Sequence, residues 1–118
     1  GNNRFVLKSL TKKEREMILA LQHSFKKFDK QLSKVNKIVH DVDVYVSLNE
    51  TCLNELNILK ELNKNNSNNM NPIIEKAEKL YEKNKEILEK NRQALEKEIK
   101  KLDTSKDVLI QDLFKILK

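Results

Sequence analysis

Residues 18–56 read ILALQHSFKKFDKQLSKVNKIVHDVDVYVSLNETCLNEL, and two rows of side chains recur through them. Ile18, Phe25, Leu32, Val39, Val46 and Leu53 are seven apart, and so are Leu21, Phe28, Val35, Val42, Asn49 and Leu56. Read as a heptad, the first row fills position a and the second fills d, with Asn49 the single polar member. At about 1.5 Å rise per residue this is a straight helix of roughly 58 Å with one contact face. Within it Val42, Val44 and Val46 alternate with Asp41, Asp43 and Tyr45, the period of a half-buried strand. A strand here would interrupt a register that resumes at Leu53 and would find no second strand to pair with, so helix is expected throughout.

The composition agrees. One Gly and one Pro in 118 residues leave almost no turn chemistry for sheets, and the six Phe and Tyr residues, with no Trp, make any core aliphatic. The start of the helix is marked by Thr11-Lys12-Lys13-Glu14, a capping box, and it is expected to span about 11–62. Before it, Phe5, Val6, Leu7 and Leu10 form either a short docking arm or an earlier start of the helix. Ile38, Tyr45, Cys52 and Leu59 widen the apolar stripe along the g edge, where earlier turns carry Ser24 and Gln31. Cys52, the only cysteine, reads as a small buried side chain.

Residues 63–71, rich in Asn, compete with helical hydrogen bonding and read as a loop. Asn71-Pro72 restarts the chain, with Asn71 as N-cap and Pro72 at the first helical position, for a helix of about 72–117. Its stripe runs Ile73, Ala77, Leu80, Asn84, Ile87, Asn91, with Ile74, Tyr81, Leu88, Leu95, Leu102, Leu109 and Ile116 alongside. Past Asn91 it shifts to Leu95, Ile99, Leu102 and Leu113, a stutter that relaxes the supercoil. Asn84 and Asn91 either fix register in the seam or lie at its wet edge. Thr104-Ser105-Lys106-Asp107 resembles a second capping box, yet the unbroken seven-residue step favours one helix, with any break near Asp103.

The fold expected from these patterns is all-α, one domain over residues 1–118: a long, coiled-coil-like antiparallel helical hairpin. A nine-residue loop spans at most about 30 Å, too little for a parallel return. Both stripes are broader than a two-stranded seam needs. The surplus calls for dimerisation into a four-helix bundle, for another helical subunit, or for a fold-back at Ser47 or Asp103 into a monomeric three- or four-helix bundle.

Charge is uneven. Residues 1–37 hold ten bases and three acids, residues 91–118 seven and five, and residues 38–90 seven and ten. A basic end suits an acidic partner or an anionic membrane. Nucleic acid fits less well, since lysines outnumber arginines 21 to 3 and no aromatic platform accompanies them. The basic patch is Lys12, Lys13, Arg15, Lys26 and Lys27. His23 and His40 fall off the seam with no acid at a useful spacing, so no catalytic residue, metal ligand or cofactor is expected.

The expected function is a non-enzymatic protein–protein interaction or assembly module. Its interface or core comprises the two rows above (Asn49 aside) with Leu80, Ile87, Leu88, Leu95, Leu102 and Leu109. The alternatives are a peripheral membrane module and a monomeric bundle from a surface or secreted protein used in adhesion or receptor binding. A single cysteine points to the cytoplasm or another reducing compartment; a secretory leader upstream of Gly1 would point outside. Asn49-Glu50-Thr51 and Asn65-Asn66-Ser67 match the glycosylation acceptor pattern, as chance allows in a chain with 14 asparagines.

Overall fold

The computed structural model describes residues 9–65 and 69–118, and it is an all-α helical hairpin. Helix α1 spans Lys12–Lys64 and α2 spans Asn71–Leu117. Phe5, Val6 and Leu7 lie outside the described residues, as do Asn66 and Ser67. No strand occurs among the described residues: Val42, Val44 and Val46 are helical. Neither helix breaks at Ser47 or near Asp103. Thr51 and Thr104 instead turn their hydroxyls back to the carbonyls four residues earlier, Ser47 at 3.0 Å and Lys100 at 3.2 Å. The fold-back into three or four helices therefore does not occur.

The ends follow local chemistry. The Thr11 amide donates to Glu14 Oε1 at 3.2 Å and the Glu14 amide to Thr11 Oγ1 at 3.1 Å, which closes the expected capping box. Helix α1 runs two residues further than expected because Asn63 finds work outside the helix. Its Oδ1 accepts from the Met70 amide at 3.1 Å and its Nδ2 donates to Asn71 Oδ1 at 3.2 Å. The start of α2 also moves. The Met70 carbonyl accepts from the Ile73 and Ile74 amides, both at 3.0 Å, so Met70 rather than Asn71 caps the helix. Pro72 stays in the first turn, where its missing N–H loses nothing.

The described chain divides into two compact units, a terminal unit of Gly1–Asn36 with Lys97–Lys118 and a loop unit of Lys37–Glu96. In each, the inward positions alternate in steps of three and four. In the loop unit α1 turns Ile38, Val42, Tyr45, Asn49, Cys52, Leu56 and Leu59 inward, and α2 turns Ile74, Ala77, Tyr81, Asn84, Leu88, Asn91 and Leu95. Cys52, Leu56, Ile74, Asn84 and Leu88 are buried. Asn84 thus sits in the seam, its Nδ2 donating to Cys52 Sγ at 3.5 Å.

In the terminal unit the inward rows are Leu21, Ser24, Phe28, Gln31 and Val35 against Glu98, Leu102, Ser105, Leu109, Asp112 and Ile116. The seam of α1 therefore uses positions d and g, with the a row on its flank. In α2 no stutter occurs: the step continues through Glu98, while Ile99 and Leu113 point outward. The reason is polar pairing. This rotation brings Ser24 Oγ to donate to Asp112 Oδ2 and Gln31 Nε2 to donate to Glu98 Oε2 at 2.7 Å and to the Glu98 carbonyl at 3.0 Å. Glu98, 7% exposed, also receives Lys34 at 3.4 Å and Lys101 at 3.2 Å. The Gln31 hydrogen bond holds its carboxyl down at about 2; burial pushes the other way, and the hydrogen bonds from Lys101 and Lys34 and the charge of Lys101 add to the lowering. A buried polar group that finds its partner costs little, whereas the same group facing hydrocarbon costs a great deal.

One seam group lacks such a partner within the described protein: Asn49 Oδ1 is enclosed and accepts no hydrogen bond. Asn49→Leu is expected to raise stability by about 1–2 kcal/mol in urea unfolding, because it removes an unmade hydrogen bond from an aliphatic layer. A loss of stability would mean that Asn49 is satisfied after all.

Candidate helix-docking face

Rotation of α1 onto its d and g rows separates the sequence candidates into three groups. Val35, Leu56 and Leu88 are buried; Ile18, Leu21, Phe28, Leu32, Val42, Val46, Ile87, Leu95, Leu102 and Leu109 are half-buried. Phe25, Val39, Leu53 and Leu80 are exposed, Phe25 by 54% and Leu80 by 51%. These four cannot serve as core of the hairpin, because the seam passes them on the side. Reasoning from the two strongest apolar rows missed Ser24, Gln31, Glu98 and Asp112, since polar residues in a seam are recognised only when their partners are known.

Within the loop unit the ion pair Lys60–Glu78, at 3.7 Å, marks one flank of the seam. On that flank the α1 row of Val39, Val46 and Leu53 faces the α2 row of Glu78, Lys85 and Arg92. The opposite flank is more apolar. There the α2 row is Ile73, Leu80, Ile87 and Ala94, and the α1 rows supply Val44, Leu48, Ile58 and Leu62. Apart from the half-buried Ile87, all of these are exposed. Four consecutive heptads of α2 build their side of this face: Ile73-Ile74-Glu75-Lys76, Leu80-Tyr81-Glu82-Lys83, Ile87-Leu88-Glu89-Lys90 and Ala94-Leu95-Glu96-Lys97. In each, the second apolar residue goes into the seam and the first is left on the flank. That repeat is the sequence signal that distinguishes seam from flank.

The basic candidates Lys12, Lys13, Arg15, Lys26 and Lys27 are all exposed on α1. Lys27 also lines an open groove of the terminal unit with Lys30, Gln31, Lys34 and Ser105. His23 and His40 are exposed. Among the described residues no three His, Cys, Asp or Glu side chains are placed to hold a metal ion, and no helix is long and apolar enough to cross a membrane. Compared with known proteins, the chain matches no family model, no curated protein and no solved structure.

Proposed function

We propose that the chain is a non-enzymatic helical interaction module that docks other helices on the apolar face of its loop unit. The observation that carries this reading is the row Ile73, Leu80, Ile87 and Ala94 beside Leu48 and Leu62, apolar in register over four heptads yet outside the seam. Contiguous apolar surface of this kind marks interaction sites on soluble proteins. Covering a half-exposed Leu or Ile returns on the order of 1 kcal/mol, so the five Leu and Ile residues together approach the lower end of the net stability of a small domain.

The polar seam supports the same reading from the other side. Ser24, Gln31, Asn84, Glu98 and Asp112 occupy layers that aliphatic residues would otherwise fill. They tie α1 and α2 to one rotation, and that rotation keeps the flanking row available. Such a role of buried polar groups in fixing register is known from coiled coils.

Leu80→Glu tests the proposal. Helix content and unfolding midpoint are expected to stay close to those of the parent, because the side chain is outside the seam. Binding of an environment-sensitive apolar dye in dilute solution is expected to fall. A variant that binds dye as the parent does would remove the face from consideration.

A second reading rests on the terminal unit, which has 15 bases against seven acids. Ile110, Leu113, Phe114 and Leu117 are exposed in the last turns of α2, a combination suited to an anionic membrane surface. Flotation with anionic vesicles that is strong at low salt and lost at high salt supports it; no flotation at either salt rejects it.

A further inference from the structure

We infer that the occupant of the loop-unit face is a second copy of the chain, related by a two-fold axis parallel to the helices, so that α2 of each copy lies beside α1 of the other. This rests on the docking-face reading above and adds the identity of the partner.

The two sides of the face carry opposite charge. Beyond the α2 row stand Lys76, Lys83 and Lys90; on α1, Asp41 and Glu55 alternate with Leu48 and Leu62 in one row, and Glu61 stands on a neighbouring row. All six are exposed. A two-fold contact uses the same patch on both copies, so each edge must suit the edge it meets. Laying α2 on α2 would bring lysines to lysines and leave carboxylates facing carboxylates, which is costly. Laying α2 on α1 brings Lys83 toward Glu55 and Lys76 toward Glu61 on both sides of the contact and covers the apolar row of each α2.

The levels along the helices agree as well. Within one copy Asn84 meets Cys52 and Lys60 meets Glu78. Those contacts put Lys83 level with Glu55, and Lys76 with Glu61, to within about one turn, whereas Lys90 and Asp41 are out of level by about 7.5–10.5 Å at 1.5 Å per residue. A two-fold axis parallel to the helices preserves these levels between copies. A foreign helix pair would need a basic side and an acidic side at matching levels. The chain's own face already has both at Lys83 with Glu55 and at Lys76 with Glu61.

Light scattering across concentration, with dye binding measured on the same samples, is the test. The mass is expected to rise from 13.9 kDa to double that value, with dye fluorescence per chain falling as it does. Leu80→Glu is expected to stay monomeric. Two charge-reversed variants, one carrying Lys76→Glu and Lys83→Glu and the other Glu55→Lys and Glu61→Lys, are each expected to associate at least about tenfold more weakly than the parent. Mixed in equal amounts they are expected to form a mixed dimer, because both of its contacts are again of opposite sign. Circular dichroism checks that each variant keeps its helices.

Failure of the mixture to recover association overturns the α1-to-α2 pairing, as does a dimer that Leu80→Glu leaves intact. A parent that stays monomeric but binds dye through Leu80 overturns the second copy and preserves the docking face for another partner. A monomer that binds no dye at any concentration overturns both.

Discussion

Leu88→Ala is expected to lower the stability of the chain by about 2–5 kcal/mol, the range for removing a buried leucine side chain and leaving a cavity. Leu80→Ala, about two turns away on the same helix, is expected to cost less than about 1 kcal/mol, within the spread of surface substitutions. Both residues are leucines in one apolar stripe, so neither type nor helical propensity separates them. Packing does: Leu88 is 7% exposed and Leu80 is 51% exposed. Urea unfolding of the two variants at neutral pH measures the difference, provided the denaturant slope stays constant. Equal losses would mean that α2 is rotated toward its Leu80 row. The loss at Leu88 is expected to appear in helix content and unfolding midpoint together, whereas any effect at Leu80 should appear in association alone. Val39→Asp falls under the same logic. Val39 is on the exposed flank of α1, so this substitution is expected to spare the helices.

The second large effect is acid sensitivity. The Glu98 carboxyl is held at about 2, below its ordinary 4.5, chiefly by the hydrogen bond from Gln31. A carboxyl depressed in the folded state adds stability above its unfolded value and surrenders it as pH falls through the folded one. The contribution is therefore expected to be complete above about pH 4.5 and to disappear between there and about pH 2. Gln31→Leu removes the leading cause of the depression while burial continues to oppose ionisation. Its acid unfolding transition is expected to move to higher pH than that of the parent, followed by circular dichroism. Glu98→Gln is expected to flatten the pH dependence in this window and to weaken the protein at neutral pH, where Lys34 and Lys101 lose their carboxylate. Coincident acid transitions for the parent and Gln31→Leu would sink this account of the seam.

Much of the architecture is legible in the chain. The capping box at Thr11 and Glu14 closes as its residue spacing requires, because both hydrogen bonds are made within one turn. Pro72 and the asparagines before it mark the second start to within a residue. The unbroken seven-residue step from Ile74 to Ile116 foretells that α2 continues past Asp103. Such features depend on neighbours a few residues apart, and those neighbours are written in order. The phase of each helix about its own axis is a different matter. On α1 the a, d and g rows are all largely apolar between Ile38 and Leu59, so three adjacent stripes compete for one partner.

What the chain alone determined, then, is two helices, their ends and their return, because short-range hydrogen bonding and side-chain periodicity suffice for those. Tertiary contact decided which stripe became the seam. Gln31 is 67 residues from Glu98 and Ser24 is 88 from Asp112, and only when α1 and α2 lie together do these polar groups satisfy one another. Within the terminal unit their pairing lets the g row of α1 turn inward, since a buried hydrogen-bonding group costs little once it has its partner and a great deal without one.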